Sequence, residues 1–465
     1  MTRTPLVLVL AASTALAGCT LAPRYERTPA PVPQAWSAVT DQAGAETSAE
    51  QLAWREVYRD PRLQQVVDLA LANNRDLRIA VLNIDKARAL YGVQRAGLLP
   101  GVNATLSGAQ SRTPAGVSQT GQALETESYS AAVGVTAFEL DLFGRVRSLT
   151  EASRQTFLAS EADWRAARVS LVAEVATAWL TLAADTDLLA VSRSTLDSRR
   201  TSTDLIRRRF EAGAADQSEL RQAEVLVEQA RGDVAAAQAQ VARDRNALRL
   251  LLGADLPADL DAADVGDVDI LPSLPAGVPS TVLTARPDVV AAELRLKAEN
   301  ADIGAARAAF LPQISLTGST GNASASLSNL FDGGTGAWSF APQITLPIFA
   351  GGANLANLRG ARADRDIALA TYEKALQTAF REVSDALAVR ETIDERLDAA
   401  ERALAAAEDA ERLARLRYER GVDDHLALLD AQRTLYGAQQ SVVAVRLARA
   451  SNLATLYKSL GGGAL

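Results

Sequence analysis

The hydrophobic positions fall into two kinds of pattern, and each kind occurs twice. Leu63, Val66, Val67, Ala70 and Leu71 repeat at helical spacing and share one helix face. Asn73-Asn74 ends this helix, and a second helix from Arg75 is stopped by Leu99-Pro100-Gly101. The period then changes to two. Val102, Ala104 and Leu106 alternate with Asn103, Thr105 and Ser107, and alternation returns in Tyr129, Ala131, Val133, Val135 and Ala137. This predicts strands over 101–113 and 127–142, each with an apolar and a polar face. A Pro-free run of helix formers follows from Arg145 to Leu252, broken only at Phe210-Glu211-Ala212-Gly213-Ala214-Ala215-Asp216. Its first part, about 65 residues, would reach about 100 Å as an α-helix. A long helix, a Gly-containing tip and a returning helix make an antiparallel hairpin over 145–252. Leu182, Leu189 and Leu196 keep heptad spacing, with Ala dense around them, as in close-packed helix seams.

The second half repeats the first. Asp288-Val289 corresponds to Asp76-Leu77, Leu311-Pro312 to Leu99-Pro100, and Phe349 to Phe143. Alternation in Ile314, Leu316 and Gly318, then in Trp338, Phe340, Pro342, Ile344, Leu346 and Ile348, predicts strands over 313–325 and 336–348. A second hairpin is predicted over 352–460, with Arg417-Tyr418-Glu419-Arg420-Gly421 matching Arg209-Phe210-Glu211-Ala212-Gly213. The offset stays near about 210 residues, so this is a duplication and not a short-period solenoid. The first structural repeat covers 51–270 and the second 271–465. Between them Pro257, Pro272, Pro275 and Pro279 mark a linker, and Asp259, Asp261, Asp264, Asp267 and Asp269 read as a solvated acidic loop.

Four amphipathic strands cannot close a membrane barrel, which needs about eight, and an open sheet edge is not viable in lipid. Closure therefore requires oligomerisation. Three copies supply a 12-stranded barrel, with polar Asn, Thr and Ser faces towards water and the Trp, Tyr, Phe, Val and Leu face towards lipid. The fold class predicted is a transmembrane β-barrel plus an α-helical barrel, internally duplicated with four strands per protomer, the trimer completing the barrel and continuing it as a long helical tunnel, which the family resemblance given below would place in the periplasm.

Composition narrows the chemistry. A net charge of −8 argues against nucleic acid as a partner. One Cys excludes an internal disulfide and a Cys-ligated metal site. One His speaks against a His metal cluster or a Ser-His-Asp triad, so neither an enzyme nor a metal site is expected. Residues 1–18 read as a signal peptide, with Arg3 followed by the apolar run Leu6-Val7-Leu8-Val9-Leu10-Ala11-Ala12. Leu16-Ala17-Gly18-Cys19 resembles a bacterial lipobox, which makes Cys19 the lipidated first residue of the mature chain; the alternative is an ordinary signal peptide with an incidental Cys. A covalent lipid (palmitate) on Cys19 is the one attached group expected, and no cofactor is expected. Thr20 after the Cys resembles the outer-membrane sorting pattern. Residues 19–50, with alternating Pro29, Pro31 and Pro33, read as an extended tether.

The whole mature chain resembles the outer membrane efflux proteins, the TolC/OprM-like channels, and within them the lipoprotein branch that serves resistance-nodulation-division pumps. The motifs are Gly18-Cys19 with Pro23-Arg24-Tyr25, Asp60-Pro61-Arg62-Leu63, Ala285-Arg286-Pro287-Asp288-Val289, Ala309-Phe310-Leu311-Pro312, Leu346 through Gly352, and Gly421-Val422 through Leu428-Leu429-Asp430-Ala431-Gln432. Ala464 stands where the family often has an aromatic residue. The resemblance implies a homotrimeric exit channel in the cell outer membrane, accepting substrates from an inner-membrane pump through a periplasmic adaptor. Its partners would be the adaptor, the resistance-nodulation-division pump and outer membrane lipid. The alternative is the exit duct of a type I protein secretion system.

Residue roles follow from the same resemblance. Asp430 would form an acidic ring at the periplasmic aperture, Leu426 would line that aperture, and Tyr418 would latch the closed state. The first-half counterparts are Gln222 for Asp430 and Phe210 for Tyr418, which implies three ring carboxylates and no matching latch. The tips Ala212, Gly213, Ala214 and Arg420, Gly421, Val422 would dock the adaptor's hairpins. His425, beside the aperture, reads as a solvated tip residue, with a pH sensor as the alternative.

Overall fold

The computed structural model describes residues 20–33, 36, 53–261, 264–268 and 280–462. The expected signal peptide, Cys19, Asp269 and linker prolines 272, 275 and 279 lie outside the described residues. The chain runs α1 (Trp54–Val57), α2 (Pro61–Asn73), α3 (Arg75–Ala96), β1 (Val102–Thr113), β2 (Leu124–Leu140), α4 (Arg145–Glu211) and α5 (Gln217–Leu252). It continues with α6 (Pro287–Ala308), β3 (Gln313–Ser324), β4 (Gly336–Thr345), α7 (Ala353–Glu419) and α8 (His425–Ser459). The duplication is repeated in the lengths: α4 and α7 each have 67 residues, α5 has 36 and α8 has 35. β4 ends at Thr345, short of the expected 348, because Pro347 has no N–H for a ladder.

Two compact units divide the chain, and they do not follow the repeats: each takes segments from both halves. The first collects residues 1–29, 83–161 and 291–372. It contains an antiparallel sheet of order β1-β2-β3-β4, with β1 and β4 at open edges. Register keeps the two faces distinct across all four strands. Leu106 pairs with Ala131, Val133 with Thr320 and Gly318 with Phe340 on one face; Ser107 pairs with Ser130 and Ser319 with Ser339 on the other. Trp338, Phe340 and Ile344 are exposed, so β4 presents an apolar face that this chain leaves uncovered.

The expected phase of β2 needs one correction. Ala137 does not continue the alternation. A bulge lies between Val135 and Phe138, where Ala137 has φ 52° and its N–H donates to Thr317 Oγ1 at 3.0 Å. The extra residue moves the apolar phase from odd to even positions, so Phe138 and Leu140 join the face carried by Val133 and Val135.

The start of the expected tether is also corrected. Residues 20–27 are not free but form a strap along α6, fixed at nearly every turn. Thr20 Oγ1 lies 3.1 Å from Ser148 Oγ, Arg307 donates to the Leu21 carbonyl at 2.9 Å, and Asn300 donates to the Pro23 carbonyl at 2.7 Å. Tyr25 and Arg27 both donate to Glu293, at 3.0 Å and 2.6 Å. Gly304 makes the approach possible, since a Cβ there would stand 2.7 Å from Ala22 N. Burial alone would raise the Glu293 carboxyl, but hydrogen bonds from Arg27 and Lys297 hold it below its ordinary value.

The second unit collects residues 30–82, 162–290 and 373–465. Leu63, Val66, Val67 and Ala70 of α2, Val172, Val175 and Leu180 of α4, and Leu248 and Leu252 of α5 are all fully buried here. α4 also contains a stretch of mean hydropathy 1.3, long and apolar enough to cross a membrane, of which 56% is buried inside the fold. Trp179 donates to the Leu260 carbonyl at 3.0 Å, and Tyr58 meets Tyr457 edge-on at 5.8 Å. Of the described linker acids, Asp259, Asp264 and Asp267 are exposed, as a solvated loop requires. Asp261 pairs with Arg245 at 2.7 Å. The Val265 N–H donates to Asp187 at 2.9 Å, and burial beside Asp264 pushes the Asp187 carboxyl up to about 6.

Candidate functional site at the hairpin tips

Both hairpins reverse in the same way, and glycine is the reason. Gly213 and Gly421 have φ 73° and 70°. In the first tip Gly213 N–H donates to Phe210 O at 2.9 Å and Ala214 N–H to Arg209 O at 2.7 Å. In the second, Gly421 N–H donates to Tyr418 O at 3.0 Å and Val422 N–H to Arg417 O at 2.9 Å. This left-handed cap satisfies the last carbonyls of α4 and α7. Asp216 and Asp424 then cap the returning helices, accepting from Glu219 N–H at 2.8 Å and Ala427 N–H at 3.1 Å. A Cβ on either glycine would meet nothing within 4 Å, so the backbone there is open to a partner. Ala212, Gly213, Ala214, Arg420, Gly421 and Val422 are all exposed.

The tips differ in their side chains. Arg417 forms a two-pronged pair with Asp423, at 2.5 Å and 2.7 Å. Its counterpart Arg209 has Ala215 in place of that acid and lies instead over the Tyr418 ring, 4.8 Å from its centre. Tyr418 is buried among Ile206, Leu220, Ala223 and Leu428. Its hydroxyl donates to Glu219 Oε1 at 2.7 Å, tying α7 to α5 within one chain. Burial, followed by that carboxylate, pushes the phenol up to about 12, so it remains a donor across physiological pH. Phe210 has no hydroxyl and is exposed.

Leu426 and Asp430 lie one turn apart on α8 and share an exposed face, while Leu428 and Leu429 point inward. The Asp430 side chain is 75% exposed, with Arg433 at 4.0 Å. Gln222 is likewise exposed on α5. His425 overturns the expectation of a solvated residue. It is 6% exposed, and its ring packs on Tyr418 at a centroid distance of 5.4 Å. As the first residue of α8, it follows the Asp424 cap directly into the hairpin contact.

The sequence reading missed Glu219, the acceptor for Tyr418. Its place three residues after Asp216 reads as ordinary helix-start chemistry, and the partner is 199 residues away. It also missed a cleft of about 810 Å³ between α4 and the second hairpin, lined by Ser198, Ser202, Glu411, Gln432 and Tyr436. No cluster of metal-binding side chains occurs among the described residues.

The family model described as outer membrane efflux protein matches this chain over residues 66–254 and 278–462, one segment in each half. The toluene efflux pump outer membrane protein TtgC of Pseudomonas putida is 47% identical over 100% of this chain and 96% of its own length. Outer membrane protein OprJ of Pseudomonas aeruginosa is 47% identical over 96% of this chain and 94% of its own. The open-state structure of the Neisseria gonorrhoeae MtrE outer membrane channel superposes with a TM-score of 0.87 at 41% identity, covering 96% of this chain and 98% of that one. With the duplicated hairpins and the four-stranded sheet, these similarities decide the matter: the chain belongs to the outer membrane efflux protein family and is an exit channel of the cell outer membrane.

Proposed function

We propose that three copies of this chain close one barrel and serve a resistance-nodulation-division pump through a periplasmic adaptor, passing hydrophobic and amphiphilic small molecules outward without chemical change. The sheet carries this reading: β1 and β4 both end in open edges, which lipid does not tolerate, and their apolar face is already exposed. The names of relatives refer to antibiotic, toluene and solvent efflux, which supports small apolar cargo over secreted protein. The energy comes from the pump.

In this reading Leu426 and Asp430 line the periplasmic aperture, Tyr418 latches it, and the six exposed tip residues receive the adaptor. Three Asp430 carboxylates around one axis select cations. Cys19 carries a covalent lipid. The strap ties the chain just after Cys19 to Ser148 and Arg307, so lipid and fold hold the N-terminal segment together. No part of this requires catalysis or a cofactor.

The test is electrical. Purified trimers in a planar bilayer under a salt gradient give a cation-selective reversal potential, and Asp430→Ala moves it towards zero. An unchanged potential removes Asp430 from the aperture.

A further inference from the structure

His425 is an expensive way to fill space. The residue is 6% exposed, and among the described residues neither Nδ1 nor Nε2 has a hydrogen-bond partner. Two buried polar atoms without partners cost free energy that a phenylalanine of similar shape would not. The groups facing it come from every neighbouring element: Arg209 from α4, Glu219 from α5, Tyr418 from α7, and Asp424 at its own helix start. Glu219 is already the acceptor for Tyr418, and Asp424 is already the cap of α8.

A protonated ring fits this position poorly. It would bury a charge and two N–H donors beside Arg209, in the first turn of a helix whose free amides disfavour a cation. Two escapes are open to it. The imidazolium can draw Glu219 away from the Tyr418 hydroxyl, or it can leave the contact for water. Either way the bond that ties α7 to α5 loses a partner or its packing.

We propose that His425 is a proton-sensitive wedge at the second tip: neutral, it braces Tyr418 against the first hairpin, and protonated, it releases that hairpin contact and widens the aperture. The inference rests on the reading of this end as the aperture, since Leu426 and Asp430 belong to the same first turns of α8.

Burial, with Arg209 adding to it, holds the imidazole below its ordinary value against the opposing pull of Glu219 and Asp424. The sign follows. The packed tip binds the proton more weakly than the released tip. The contact is at full strength above the ordinary histidine value of about 6.5 and weakens as pH falls below it. Each linked histidine contributes at most about a tenfold change in the open-to-closed ratio per pH unit.

The chain has one histidine, so the switch is directly observable. The full-length trimer, purified without a histidine tag and labelled with 13C-histidine, should show a single imidazole titration below the range of free histidine. In Tyr418→Ala that titration should return to the ordinary range. In planar bilayers conductance should rise several-fold between pH 7.5 and pH 5, within the tenfold-per-unit limit. In His425→Phe it should stay at the neutral-pH level throughout, because the phenyl ring keeps the packing and cannot titrate. A conductance rise that survives in His425→Phe overturns the proposal, as does an ordinary titration in the unaltered protein. The second of these needs no variant to fold. Asp430→Ala separates this inference from the aperture reading: it should lose selectivity while keeping the pH response. A lost pH response there would put the proton on Asp430 and sink the role given to His425.

Discussion

Arg286 closes three separate pieces of the second unit. Its side chain is 7% exposed, and the guanidinium donates to Asp288 at 3.0 Å and 2.7 Å, to Glu382 at 2.9 Å and to the Ser459 carbonyl at 2.8 Å. The pair with Asp288 fixes the start of α6, Glu382 belongs to α7, and Ser459 ends α8. Burial alone would lower this guanidinium, but Asp288 and then Glu382 raise it, so it remains charged. Truncation leaves those acceptors without their cation in a partly closed site. Arg286→Ala should therefore cost about 3 kcal/mol, read as a lower melting temperature of the detergent-solubilised trimer. Lysine offers one ammonium where the site is arranged for a planar fork, so Arg286→Lys should fall between the two. A melting temperature unchanged in Arg286→Ala would mean that the three elements are held without it. The motif around Arg286 was legible in the sequence as a family resemblance. Its physical role was not, because Glu382 and Ser459 stand 96 and 173 residues away. His425 was misread for the same reason: a residue at the start of a helix beside a glycine turn looks solvated until the other hairpin is set against it.

At the scale of elements, helix and strand periods were readable because each has one dominant determinant. Ala-rich, Pro-free runs make α4, α5, α7 and α8, and alternation makes the strands. The bulge in β2 was also present in the sequence, as the change of apolar phase between Val135 and Phe138, but Thr136 and Ala137, both small and at home on either face, hide where the extra residue sits. The strap on α6 was not readable, since a Pro-rich segment gives no periodic signal and its partners lie in the other half. The duplication does allow one pairing to be derived that a single chain does not contain. β2 of the first repeat pairs with β3 of the second, with Phe138 opposite Leu316. The equivalences of Phe143 with Phe349 and of Leu99-Pro100 with Leu311-Pro312 carry Phe138 to Ile344 and Leu316 to Ala104. The free edge of β4 should thus pair with β1 of the next copy, with Ile344 opposite Ala104. Opposed residues in an antiparallel pair lie within the Cα range of a disulfide, about 4.4–6.8 Å. Ala104→Cys with Ile344→Cys should give oxidant-dependent dimers and trimers on a non-reducing gel. Ala104→Cys with Gln343→Cys should not, because a shift of one residue turns the side chain to the opposite face. The reverse outcome would mean that the closing register carries its own bulge.

For the whole molecule, the duplication explains what the sequence reveals and where it stops. It gives two hairpins, four strands and a chain that cannot bury its own sheet edges, and these features imply closure by further copies. It does not encode cargo. The tip chemistry consists of caps, turn glycines and exposed carboxylates such as Glu211, Glu419 and Asp430, none of which recognises a particular small molecule. Selection therefore lies upstream, in the pump that loads the duct, and deleting this chain should expose that pump's whole range at once. The expected phenotype of a strain lacking it is lower inhibitory concentrations for several hydrophobic antibiotics, cationic dyes and aromatic solvents together, restored by the unaltered gene. If Asp430 forms the proposed acidic ring, Asp430→Ala should restore resistance to neutral compounds more fully than to cationic ones, because such a ring concentrates cations at the entrance and does nothing for an uncharged solvent. Loss of resistance to one metal ion alone would assign the duct to a metal pump. An unchanged panel with a single protein missing from the medium would argue against small-molecule cargo altogether.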